Sequence, residues 1–141
     1  MLGHDAVAQA LVDHGVDTVF AVLGDGNLFI GESLERQHGV NLVGATHEAN
    51  AVCMAEGWAK ATGRLGVATV THGPGLTNTI TALVEGVKNG TPMILVAGDT
   101  PVENEQHLQN LDQHALVAAT GAGFQPVRNV QTIAEDVSTA V

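Results

Sequence analysis

Four short apolar runs alternate with segments of helical period, and this alternation constrains the fold more than any other feature. The runs are "DTVFAVL" (17–23), "VNLVGA" (40–45), "GVATVT" (66–71) and "PMILVA" (92–97), and each reads as a strand. Residues 5–14 place Val7, Ala10, Leu11 and His14 on one side of a helix that Gly15 stops. Residues 28–38 read as a second helix, ended by Gly39. Residues 48–62 give the clearest helix, with Ala49, Val52, Cys53, Glu56 and Lys60 at helical spacings and Gly63 at its end. Residues 76–89 give a fourth. A polar loop (98–110), a short helix near 111–119, a strand at 124–128 and a helix near 131–141 complete the pattern. Apolar strands separated by helices imply a mainly parallel sheet covered on both faces. The expected fold is a three-layer α/β/α domain over residues 1–141. It lacks the strand that usually follows the last helix.

The 141 residues suffice for one domain with a core, and 45 % hydrophobic against 14 % charged residues argues against disorder. The formal charge is −10, and Arg36, Lys60, Arg64, Lys88 and Arg128 are the only side chains of fixed positive charge. A nucleic-acid binder needs a basic stripe, so that class is excluded. No apolar run approaches the roughly 20 residues of a membrane helix. The single cysteine, Cys53, and the absence of a signal-peptide pattern point to the cytoplasm.

In open parallel sheets, ligands sit at the carboxyl ends of strands. Three loops there are unusual: Gly24-Asp25-Gly26-Asn27, Thr46-His47-Glu48, and Thr71-His72-Gly73-Pro74-Gly75. They follow the first three strands and can share one edge. Gly24-x-Gly26 suggests a dinucleotide fingerprint, but Phe29 replaces the third glycine. His47-Glu48 could open a zinc helix, but Ala51 stands where the second histidine belongs. The seven histidines show no ligand spacing, so no metal site is expected in this chain. Glu48 has two readings. It is a first-turn carboxylate favoured by the helix dipole, worth roughly 0.3–1 kcal/mol, or a partly desolvated acid placed to donate a proton.

The stretch "GATHEANAVCMAEGWAKATGRLGVATVTHGPGLTN" resembles the N-terminal, pyrimidine-binding domain of thiamine-diphosphate enzymes of the acetolactate synthase and 2-oxo acid decarboxylase type. That family opens a helix as H-E-x-x-A…A-x-G-[YW]-A-[RK]-x-[ST]-G and follows it with a strand and a G-P-G-x-x-N turn. The matching residues are His47, Glu48, Ala51, Ala55, Gly57, Trp58, Ala59, Lys60, Thr62 and Gly63, then Gly73, Pro74, Gly75 and Asn78. The similarity runs from about residue 4 to 128.

The resemblance implies a role for each motif. Its glutamate, here Glu48, hydrogen-bonds N1′ of the cofactor's aminopyrimidine, and proton exchange there activates the thiazolium for attack on a small 2-oxo acid. Gly24, Gly73, Pro74, Gly75 and Asn78 are expected at the pyrimidine, and Gln109 on the substrate side. Thiamine diphosphate is the implied cofactor. The implied Mg²⁺ is held by a diphosphate-binding domain of the same protein or of a partner subunit, in a homo-oligomer. That domain carries G-D-G followed by an asparagine. Gly24-Asp25-Gly26 with Asn50 imitates this spacing, but the order of the other motifs assigns it to the pyrimidine domain. Ala21, Leu23 and His72 depart from the usual pattern. The isolated chain is expected to hold half a cofactor site and to be inactive. The alternative is a non-catalytic nucleotide-binding or oligomerisation domain of the same fold.

Overall fold

The structure is a computed structural model that describes residues 1–101, 103–127 and 129–141. Four parallel strands form one sheet in the order β2-β1-β3-β4. They are β1 (Thr18–Ala21), β2 (Asn41–Gly44), β3 (Gly66–Val70) and β4 (Met93–Ala97). The helices are α1 (Gly3–Asp13), α2 (Leu28–Glu32), α3 (Glu48–Thr62), α4 (Pro74–Thr77), α5 (Ile80–Lys88), α6 (Gln113–Ala118) and α7 (Ile133–Ala140).

Side-chain alternation along the strands divides the core into two layers. Val19 and Val67 lie with Leu11 of α1, Leu34, and Ile133 and Val137 of α7. The next residues along the strands, Phe20 and Ala68, lie with Ala51, Val52 and Ala55 of α3 and Ala82 of α5. Helices therefore cover both faces of the sheet, as the apolar runs predict. Alanines on α3 allow it to lie close to β3: a Cβ added to Gly66 would stand 2.2 Å from the Ala55 carbonyl oxygen.

Several expectations need correction. The buried stripe of α3 is Ala51, Val52, Ala55, Glu56 and Ala59, whereas Cys53 and Lys60 face solvent. Glu56 is buried in the stripe, as its spacing predicts. Its carboxylate pairs with Lys60 at 2.6 Å and accepts hydrogen bonds from Asn89 and Thr91. His14 is exposed rather than packed. The second helix widens after Glu32 into a π-helical segment, Ser33–Gln37. It is tied to α1 where Asp5 Oδ1 accepts hydrogen bonds from Ser33 Oγ (2.9 Å) and Gln37 Nε2 (2.7 Å). β2 is an edge strand and only partly buried. Residues 124–127 form no strand, because they run along helices instead of a sheet edge. Gln125 Nε2 donates to Asp136 Oδ1 of α7, and the Phe124 ring lies 5.1 Å from His114. Arg128, which the sequence places at the end of that strand, lies outside the described residues. No helix among the described residues is long and apolar enough to cross a membrane.

Candidate functional site

The chain runs from β1 outward to β2 and then returns to place β3 on the other side of β1. Such a reversal opens a crevice at the carboxyl ends of the two central strands. Two of the three unusual loops meet there. Gly26 N–H donates to Thr71 Oγ1 at 3.1 Å, and Thr71 Oγ1 donates to Asp25 Oδ1 at 3.1 Å. Below them Asn27 is 1 % exposed. Its oxygen accepts from Gly24 N–H (2.8 Å), and its nitrogen donates to Val22 O (3.1 Å) and Thr69 Oγ1 (3.2 Å). Glycine is required by contact: a Cβ on Gly24 would stand 2.8 Å from Thr71 Cβ, and one on Gly26 2.3 Å from His72 Nδ1.

The third loop leads into α3. His47 is its N-cap, with Nδ1 accepting from Ala49 N–H at 3.1 Å. A histidine used this way offers an explanation of His47 that needs no metal. Glu48 is the first helical residue and half-buried. Its Oε2 accepts a hydrogen bond from Asn78 Nδ2 at 2.9 Å. The two residues carried by the two separate motifs are thus in contact across 30 positions of sequence.

The glycine turn also differs from a simple connection. Gly73 has φ +61°, and Pro74 sits at the start of α4. Asn78 is the C-cap of that short helix rather than a first-turn residue of a long one. The expected helix over 76–89 is therefore broken into α4 and α5, with Thr79 Oγ1 donating to Leu76 O at 2.7 Å in the gap. A Cβ on Gly75 would meet Thr71 Cγ2 at 2.8 Å.

Gln109 reaches this turn through its backbone: its carbonyl lies where a Cβ on Gly73 would fall, at 2.2 Å. The glutamine whose side chain reaches the turn is Gln113, in the first turn of α6. Its Oε1 accepts from Gly73 N–H (3.2 Å), and its Nε2 donates to Gly98 O (2.9 Å). Gln113 was not singled out in the sequence, although "LDQHAL" contains it. The sequence marks Asn27 and Thr71 only as members of their loops and gives no sign of His107, because polar residues in loops carry no periodic signal.

A separate hollow of 270 Å³ lies near the amino ends of β1 and β3, lined in part by His14, Asp17, Trp58 and Arg64. Arg64 is already engaged there by Asp17 at 2.9 Å and by Gly15 O at 3.0 Å. The Arg64 guanidinium holds the Asp17 carboxyl below its usual range.

Residues 1–116 match the family model described as thiamine pyrophosphate enzyme, N-terminal TPP binding domain. The chain is 36 % identical over 141 residues to 2-hydroxyacyl-CoA lyase 2 of Danio rerio, covering 99 % of this chain and 22 % of that protein. It is 32 % identical over 139 residues to a probable acetolactate synthase of Mycobacterium bovis, covering 95 % of this chain and 25 % of the relative. Acetolactate synthase isozyme 3 large subunit of Escherichia coli is 40 % identical over 96 residues, 68 % of this chain and 17 % of the relative. The chain belongs to the thiamine pyrophosphate (thiamine diphosphate) enzyme family, as its N-terminal TPP-binding domain. It spans a quarter or less of the length of these relatives.

Proposed function

We propose that this chain binds and activates the pyrimidine half of thiamine diphosphate within a larger enzyme that makes or breaks a carbon–carbon bond beside a carbonyl. The contact between Glu48 and Asn78 carries this reading, because it brings the acid of one motif to the amide of the other. The amide orients the carboxylate and leaves its second oxygen free to share a proton with N1′ of an aminopyrimidine. Gly24, Gly73, Pro74 and Gly75 would lie beside the flat ring, on loops held tight because the three glycines let Thr71 and the Gln109 backbone pack against them. When bound, the cofactor supplies a thiazolium carbon nucleophile and an electron sink. Glu48 would hold and return the proton at N1′, and Gln109 would face the substrate.

The residues here suit the pyrimidine rather than the diphosphate. The order of the other motifs assigns the G-D-G…N imitation to the pyrimidine domain, so it is not read as the Mg²⁺ site. Mg²⁺ and the diphosphate therefore fall to a diphosphate-binding domain of the same protein or of a partner subunit. Exposed Leu23, Leu28 and Phe29 beside the first loop offer apolar surface for that docking. The donor is a small 2-oxo acid, as for a decarboxylase or carboligase. The lyase relative favours a 2-hydroxyacyl thioester as a second substrate class.

Calorimetric titration of the chain together with a diphosphate-binding domain tests the reading. Saturable binding of thiamine diphosphate with Mg²⁺, weakened by Asn78→Leu, is expected. Binding of NAD instead, with none of thiamine diphosphate, would establish the non-catalytic nucleotide-binding alternative.

A further inference from the structure

Three side chains from three loops meet at the crevice between β1 and β3. Asp25 follows β1, His72 follows β3 and His107 follows β4. One potential ligand atom from each lies within 4.8 Å of the other two. His72 is 5 % exposed, and among the described residues neither of its ring nitrogens has a hydrogen-bond partner. Native interiors rarely leave a buried polar group unpaired, because its lost hydration is then uncompensated. The ring of His107 stands edge-on to that of His72, with centroids 5.4 Å apart.

We propose that Asp25, His72 and His107 form a mononuclear site for a divalent first-row transition-metal ion, with Zn²⁺ as the reference occupant. Two imidazoles and one carboxylate suit such an ion and leave a position for water. Ligands on tetrahedral zinc at about 2.0–2.1 Å stand roughly 3.3 Å apart, so separations of up to 4.8 Å require the three groups to close. Asp25 is exposed and His107 half-buried, so these two side chains have room to turn toward the fixed His72. The Thr71 hydroxyl already holds the Asp25 carboxylate, as outer-sphere hydrogen bonds hold ligating carboxylates elsewhere. His107 Nδ1 accepts a hydrogen bond from Gln109 N–H at 3.2 Å. Ligation through either ring nitrogen exchanges this local bond for a metal bond. Neither Glu48 nor Asn78 is a member of the cluster, but Asp25 and His72 adjoin Gly24 and Gly73, so the site borders the proposed pyrimidine site. Zn²⁺ uptake measured without thiamine diphosphate does not depend on that reading.

Metal titration of the chelator-stripped chain tests the site. One Zn²⁺ per chain is expected, and Co²⁺ in its place should show the visible absorption of a four- or five-coordinate ion. Asp25→Ala and His107→Ala should each weaken Zn²⁺ binding by at least about tenfold, the smaller loss seen when even outer-shell partners are removed. His114→Ala, exposed and outside the cluster, should leave binding unchanged. His72→Ala should abolish binding; if that variant does not fold, the other two decide. Equal Zn²⁺ affinity in wild type, Asp25→Ala and His107→Ala, or no saturable uptake at one ion per chain, would overturn the proposal.

Discussion

Gln113 Oε1 accepts a hydrogen bond from Gly73 N–H at 3.2 Å while its amide donates to Gly98 O at 2.9 Å, so one buried side chain joins the loops after β3 and β4. Gln113→Leu fills similar volume but leaves the Gly73 N–H without its side-chain acceptor. An orphaned buried donor costs about 1–3 kcal/mol. Urea unfolding should show that loss for Gln113→Leu. Gln109→Ala, whose contact with the turn is through backbone, should stay within about 0.5 kcal/mol of wild type. Equal stability of both variants would remove Gln113 from this role.

Two glycines should respond with opposite signs to alanine. A Cβ on Gly26 would fall 2.3 Å from His72 Nδ1 and 2.9 Å from Thr71 Oγ1, and His72 is too buried to yield cheaply. Overpacking of this kind costs about 1–3 kcal/mol. Gly57 lies inside α3, exposed, with nothing within 4 Å of an added Cβ. Gly57→Ala should stabilise by roughly 0.5–1 kcal/mol, through helix propensity alone. Thermal melts of the two variants should move in opposite directions.

Glu56 supplies a pH dependence. The Lys60 ammonium, then the Asn89 amide, hold its carboxyl below the ordinary value of 4.5 despite its burial. A depressed folded value means the stabilisation is present above the unfolded value and is lost as pH falls through the folded one. Glu56→Gln should therefore destabilise the protein at neutral pH by about 1–2 kcal/mol, between the worth of neutral and charged hydrogen bonds. The gap between wild type and variant should narrow as pH drops below the ordinary glutamate range. A gap that is constant from neutral to acid pH would contradict the pairing.

The local physics of helix and strand was legible from residue types. The helix expected over 48–62 is α3 as observed, because small apolar residues recur at its period and Gly63 takes the left-handed cap at φ +69°. The four apolar runs are the four strands, each within two residues. The break at Asn78–Thr79 was not legible. Pro74 starts a helical turn two residues early, and the Thr79 hydroxyl then takes the Leu76 carbonyl. At the site, Glu48 and Asn78 could be named from motifs, but their hydrogen bond depends on how α3 and the loop after β3 pack. The cluster of Asp25, His72 and His107 was invisible because its members come from three loops with no common spacing.

The role of Glu48 is the centre of the account, and C2 hydrogen–deuterium exchange of bound thiamine diphosphate in the assembled enzyme tests it most directly. Glu48→Gln keeps the side-chain shape and an oxygen for Asn78 but removes the exchangeable acid. Folding should change little, since a first-turn charge is worth roughly 0.3–1 kcal/mol. Exchange should slow by about 10²–10⁴-fold, the usual range for a positioned acid or base. A variant that exchanges within about threefold of wild type, far below that range, would contradict the account and leave Glu48 as a charge at a helix start.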